Sequence, residues 1–173
     1  MNLCGYYPES INEGEGLRAV IFLSGCRHRC PGCFNPETWN FRYGEPFTVE
    51  RQAEIIEDIA ANPLLDGITL AGGDPFFSAG EAAGFVDKLL QKVPGCSVWG
   101  YTGYTFEELS AMTDKPERQL LERCDVLIDG RFVEALKDTT LRYRGSSNQR
   151  IIDVRATLGN GTDDIVLWEP SPV

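Results

Sequence analysis

Arg18-Ala19-Val20-Ile21-Phe22-Leu23-Ser24, joined directly to Gly25-Cys26-Arg27-His28-Arg29-Cys30-Pro31-Gly32-Cys33, decides how the chain is read. The first seven residues are rich in β-branched and aromatic side chains and bounded by glycine, the pattern of a buried strand. Gly25 to Cys33 cannot extend that strand. Positions i, i+4 and i+7 would share one helix face, but Pro31 and Gly32 fall inside the cysteine cluster and Gly25 precedes it, so a loop carries the three thiols. A strand that hands over to such a loop places chemistry at the carboxyl edge of a sheet, where α/β folds carry their sites.

Outward from this segment, apolar runs alternate with helical patterns. A helix is expected from about Thr48, which can cap it with Glu50 in the first turn, through Ile55, Ile56 and Ile59 to a stop at Asn62-Pro63. Gly67 to Ala71 is a second strand. Ser78-Ala79-Gly80-Glu81 fits a capping box for a helix whose apolar face carries Phe85, Val86, Leu89 and Leu90 and which ends at Pro94-Gly95. Ser97 to Tyr101 is a third strand, Thr105 to Glu108 a second capping box, and Leu120 and Leu121 belong to a helical piece after Pro116. Asp125 to Asp129 is a fourth strand, Arg150 to Thr157 a fifth at an edge, and Ile165 to Trp168 a sixth. This alternation predicts an α/β fold with a mainly parallel sheet and right-handed crossovers. A closed eight-fold barrel needs about 250 residues. With 173 residues the expectation is a partial, incomplete β/α barrel or open sheet, in a single domain over residues 1–173.

Composition narrows the class. A net charge of −10 repels phosphate backbones and anionic membrane surfaces, so no nucleic-acid partner and no membrane association are expected. Met1 to Glu15 has no basic, apolar leader, and no stretch approaches the roughly 18 apolar residues of a membrane span. A soluble, cytoplasmic protein is expected. Its six cysteines are therefore read as reduced thiols or metal ligands rather than disulfides. Cys4, Cys96 and Cys124 are scattered and read as incidental or buried thiols.

Three thiolates in one loop suit an iron-sulfur cluster or zinc, and a cluster held entirely by protein ordinarily takes four. Either a distant residue completes the set or one metal position stays open, as a catalytic site requires. A structural zinc with His28 as fourth ligand is the alternative, although His28 lies awkwardly between Cys26 and Cys30. Gly72-Gly73-Asp74-Pro75 comes after the second strand and reads as a close approach of backbone to ligand, or as an ordinary turn capped by Asp74. Trp99 reads as core, while Tyr101 and Tyr104, among glycines, can wall a ligand slot. Asp129, before Gly130-Arg131, either binds a ribose hydroxyl or forms a turn. Arg144 to Arg150 (RGSSNQR) is a solvated loop or a polar binding loop.

The spacing C-x3-C-x2-C after a strand resembles the signature of the radical S-adenosylmethionine (SAM) superfamily, and Gly72 to Pro75 resembles that superfamily's glycine-glycine-glutamate-proline motif, with Asp74 one methylene shorter. Within it, Gly25 to Cys33 with Asn35, Thr38 and Trp39, then Gly72 to Pro75, Tyr101 to Tyr104, Asp125 to Phe132 and Arg144 to Arg150 resemble the activating enzymes of anaerobic, class III ribonucleoside-triphosphate reductase, over about residues 12 to 157. The resemblance implies a [4Fe-4S] cluster on Cys26, Cys30 and Cys33, with the fourth iron chelated by SAM, and SAM contacts from Gly72, Gly73 and Asp74; Tyr101 and Asp129 join the expected cofactor-binding set from the reading of the residues themselves. It implies reductive cleavage of SAM and abstraction of hydrogen from a C-terminal glycine of the reductase's large subunit, leaving a glycyl radical. A flavodoxin-like or other low-potential donor would supply the electron. The rivals are activation of another glycyl-radical enzyme such as pyruvate formate-lyase, small-molecule radical SAM chemistry, or a non-catalytic iron-sulfur or zinc module.

Overall fold

The computed structural model describes residues 1–161 and 164–170. Its strands are β1 (Asn2–Ser10), β2 (Arg18–Leu23), β3 (Glu45–Pro46), β4 (Gly67–Gly72), β5 (Ser97–Tyr101), β6 (Val126–Asp129) and β7 (Arg150–Asp153). Among the described residues they form one sheet in the order β3-β1-β2-β4-β5-β6-β7. Strands β2, β4, β5 and β6 run parallel, with Leu23 paired to Gly72 and Tyr101 to Ile128, and antiparallel β1 and β7 flank this core. The sheet is open, with β3 and β7 as its edges, and is not closed into a barrel.

Both faces of the parallel core are covered, which is why its strands read as continuous apolar runs. On one face Ala19, Ile21, Leu23, Ile68, Leu70, Val98, Leu127 and Ile152 pack in one cluster with the helices α1 (Val49–Ala61), α2 (Ala79–Lys92), α3 (Phe106–Ser110) and α4 (Pro116–Leu121). On the other, Trp99, Val126 and Ile128 meet Tyr101, Tyr143, Ile151 and Trp168. Helix α1 begins where expected, because the Thr48 hydroxyl accepts from the Arg51 amide at 3.2 Å. Its Ile55, Ile56 and Ile59 are buried, each contributing about 1.5–3 kcal/mol. Thr105 and Glu108 form the expected reciprocal capping box of α3.

Three expectations are corrected and one strand is added. The Ser78–Glu81 capping box does not form: a tight turn over Pro75–Ser78, capped by Asp74, leads into α2, and Glu81 pairs with the amino group of Met1 instead. The fifth strand stops at Asp153, whose carboxylate accepts from the Ala156 amide at 2.8 Å and starts helix α5 (Val154–Gly159). Residues 165–168 make only a single bridge, Ile152 to Leu167, rather than a strand. Asn2–Ser10, to which the sequence reading assigns no element, is a strand. Only Leu3 of it is buried, and bulges interrupt its pairing with β2, so no alternation of apolar residues announces it. Among the described residues no helix is long and apolar enough to cross a membrane.

Candidate functional site

The segments that leave β2, β4, β5 and β6 converge at the carboxyl edge of the sheet. Gly25 turns the chain out of β2 at φ +106, and a Cβ there would stand 2.3 Å from the Phe41 ring, so only glycine fits. Its amide donates to the Thr38 carbonyl at 2.7 Å and its carbonyl accepts from the Asp74 amide at 3.0 Å, tying the cysteine loop to the turn after β4. The Cys33 amide donates to the Cys30 carbonyl at 3.1 Å and closes a turn over Pro31-Gly32.

Cys26, Cys30 and Cys33 line one cavity of about 490 Å³, shared with Gly72, Gly73, Tyr101, Thr102, Gly103 and Arg144. Cys26 is buried and the other two half-buried. Burial pushes the Cys26 thiol up to about 11 and raises Cys30 as well, against a nearby Phe132 amide that lowers it. Thiols so placed stay protonated at neutral pH unless a metal supplies compensating charge. Cys4, Cys96 and Cys124 do not line the cavity: their sulfurs donate to the carbonyls of Phe22, Ser97 and Leu120. Among the described residues no three His, Cys, Asp or Glu side chains gather tightly enough to hold a metal ion. A cluster takes one thiolate on each iron, so its ligands spread where those of a single zinc would converge.

His28 is committed elsewhere. Its Nε2 donates to Asp74 Oδ2 at 3.0 Å, with both side chains almost fully buried. Its ring packs against Phe77 and Tyr104, with centroids 5.0 and 4.7 Å away. Asp74 Oδ2 also accepts from Thr102 Oγ1 at 3.0 Å and the Gly103 amide at 2.9 Å, while Oδ1 accepts from the Phe76 amide at 2.9 Å. One carboxylate, 1% exposed, thus joins the loops after β2, β4 and β5. Asp74 accordingly sits behind the cavity wall and not on it.

The other residues singled out from the sequence divide in the same way. Gly72 and Gly73 line the cavity. Gly72 has φ +111 and its Cβ would meet the Leu23 carbonyl at 2.5 Å; that of Gly73 would meet the Thr38 carbonyl at 2.7 Å. Tyr101 lines the cavity and donates to the Tyr143 carbonyl at 2.6 Å. Tyr104 belongs to the packing around His28. Asp129 does not line the cavity: its buried carboxylate accepts from Arg150 and from the Phe106 amide at 2.9 Å.

The loop from Arg144 closes the far side, where Gln149 Oε1 accepts from the Gly145 and Ser146 amides and Gln149 Nε2 donates to the Gly130 carbonyl. Arg144 donates to the Gln149 carbonyl at 2.7 Å, yet its Nε is buried without a partner. An acceptor on a bound molecule would satisfy that donor. Thr102, Gly103 and Arg144 lay in segments noted from the sequence without individual roles. Phe22 and Ala71, which also line the cavity, carried no signal beyond strand periodicity.

Residues 12–152 match the family described as a 4Fe-4S single cluster domain. The anaerobic ribonucleoside-triphosphate reductase-activating protein of Escherichia coli K12 is 40% identical over 158 residues, covering 90% of this chain and 100% of that protein. Its counterpart in Pasteurella multocida is 42% identical over 87% of this chain and 96% of its own, and that of enterobacteria phage T4 is 35% identical over 87% and 93%. Identity at this level along nearly the whole of both chains, with the cysteine loop inside the matched region, leaves one conclusion: the chain belongs to the anaerobic ribonucleoside-triphosphate reductase-activating protein family and carries a 4Fe-4S single cluster domain.

Proposed function

We propose that this chain is a radical SAM activase: it holds a [4Fe-4S] cluster through Cys26, Cys30 and Cys33 and generates the glycyl radical of an anaerobic ribonucleoside-triphosphate reductase. The observation that carries the reading is that only three of the six thiols line the cavity, and that His28, the fourth ligand of the zinc alternative, is bonded to Asp74. Bound there, the cluster would supply one low-potential electron and an open iron at which SAM is reductively cleaved, so that a hydrogen can be taken from a glycine of the partner.

The chain's own residues bind, orient and exclude water. Gly72 and Gly73 let backbone approach the bound molecule where side chains would collide with the Leu23 and Thr38 carbonyls. Tyr101, Phe22 and Ala71 wall the cavity with apolar surface, and dry surroundings protect a reactive radical from quenching. Arg144 Nε offers a donor to an oxygen of the bound molecule. Asp74 and Asp129 act as positioning residues, the first through His28 and Thr102 and the second through Arg150. The radical SAM fold is read from the parallel core and the carboxyl-edge site together, as an open variant of that architecture.

Anaerobic iron reconstitution, with electron paramagnetic resonance of the reduced protein before and after SAM is added, tests the reading. The cluster spectrum should change with SAM, 5′-deoxyadenosine should be released, and mixing with the reductase should give a glycyl doublet. A spectrum indifferent to SAM would instead mark a non-catalytic cluster module. SAM cleavage with a doublet on pyruvate formate-lyase but not on the reductase would reassign the target.

A further inference from the structure

Seven of the 16 Lys and Arg residues, but only three of the 26 Asp and Glu, fall in residues 24–44 and 130–149, the two segments that frame the cavity mouth. The segments touch: Phe34 packs on Phe132 with ring centroids 5.1 Å apart, and Lys137 Nζ lies 5.1 Å over the Phe34 ring. Arg27, Arg29, Arg42, Arg131, Lys137 and Arg142 are all exposed. None of the six is within ion-pair distance of a carboxylate among the described residues; Arg27 instead lies 5.5 Å over Phe41. Of the nine Lys and Arg residues elsewhere, six are paired with carboxylates among the described residues: Arg51 with Glu54, Lys92 with Glu57, Arg118 with Glu122, Arg123 with Asp87, Arg150 with Glu107 and Asp129, and Arg155 with Asp125. The carboxylates of the two segments, Glu37, Glu134 and Asp138, leave this collar positive on a chain of net charge −10.

From this segregation we infer that the basic collar is the docking surface for an acidic, one-electron carrier protein that reduces the cluster. The inference builds on the cluster reading above. Two of the collar's arginines, Arg27 and Arg29, lie between the proposed ligands Cys26 and Cys30. A protein seated on the collar would lie over the loop that carries the half-buried Cys30 and Cys33. One electron passes from carrier to cluster; the carrier is oxidised by one electron and the cluster reduced by one, with no bond made or broken. Unpaired charge at a rim suits this task, because electron-transfer encounters are small and transient and gain on-rate from complementary potential. The net −10 of the whole chain would repel an acidic partner everywhere else.

The test monitors bleaching of the reconstituted full chain by reduced flavodoxin in stopped flow, without SAM or reductase. The Arg42→Glu/Arg142→Glu chain leaves the cysteine loop intact. Its second-order rate constant with flavodoxin should fall about tenfold or more at low salt, the gap closing as salt rises. Reduction by cationic reduced methyl viologen should hold or rise. A chain with the same charge change away from the collar, Arg51→Glu/Lys92→Glu, should stay within about twofold of the parent. Melting temperature and iron content of each variant establish that fold and cluster are retained. A collar variant that accepts electrons from flavodoxin at the parental rate overturns the inference, as does equal slowing by the distant pair. Loss of reductase capture with flavodoxin kinetics untouched would assign the collar to the reductase instead, and also overturns it. Because reduction is read without SAM, failure of SAM cleavage alone would sink the activase reading and leave the collar standing.

Discussion

Replacing Asp74 by Asn should cost the protein stability before it costs any chemistry. The carboxylate is 1% exposed and accepts four hydrogen bonds, three on Oδ2 from His28, Thr102 and Gly103 and one on Oδ1 from the Phe76 amide. An amide has one accepting end. Turned so that its oxygen keeps the group of three, it presents its NH2 to the Phe76 N–H and orphans that buried donor, at about 1–3 kcal/mol. The opposite orientation orphans three groups and is worse. For a domain of this size 1 kcal/mol is about 2–4 °C in melting temperature, so a mid-range loss of about 2 kcal/mol predicts a fall of about 4–8 °C in the iron-free chain, measured by circular dichroism under anaerobic, reducing conditions. Because His28 sits in the cysteine loop, the reconstituted variant should also hold less iron per chain. An Asp74→Asn protein that melts within 1 °C of the parent and binds a full complement of iron would refute the idea that this carboxylate clamps the site.

Three further outcomes are expected. Alanine at Cys26, Cys30 or Cys33 should abolish cluster retention and SAM cleavage, measured as iron content and 5′-deoxyadenosine, whereas Cys96→Ala should leave both; loss in the latter would move the ligand set. Gly103→Ala places a Cβ 2.4 Å from the His28 ring and should destabilise by about 1–3 kcal/mol, read as a lower denaturant midpoint and, in the reconstituted protein, lower iron content. The Arg150 guanidinium holds the Glu107 carboxyl down at about 2, below its ordinary 4.5. That pair stabilises the fold above about pH 4.5 and stops doing so as pH falls through about 2. Glu107→Gln should therefore lower stability near pH 7 by no more than about 1 kcal/mol, the side chain being solvent-screened, and the difference should close on acidification; a gap constant down to pH 2 would contradict the assignment.

Legibility of the fold tracked the strength of local signals. Strands β2, β4, β5 and β6 were read within one or two residues, because burial on both faces writes continuous apolar runs that need no partner to be recognised. Strand β1 was missed because pairing with β2, and not burial, makes it a strand. The run from Arg150 was overextended because alternating Ile and Val fit strand and first helical turn alike until the Asp153 cap is seen.

The three-cysteine loop, the paired glycines and the position of both at strand ends were in the sequence, since ligand chemistry and backbone freedom belong to residue types and short spacings. What Asp74, Asp129, His28 and Arg18 do was not. Asp74 and Asp129 read as ligand contacts or turn residues, yet both carboxylates are consumed by partners 28 or 46 and 21 residues away. Arg18 reads as the flank of a strand but is 2% exposed, donating to Thr69 Oγ1 and to the carbonyls of Ile68 and Ser97. A hydrogen bond depends on which groups the sheet order brings within about 3 Å, and that order is a property of the folded chain as a whole.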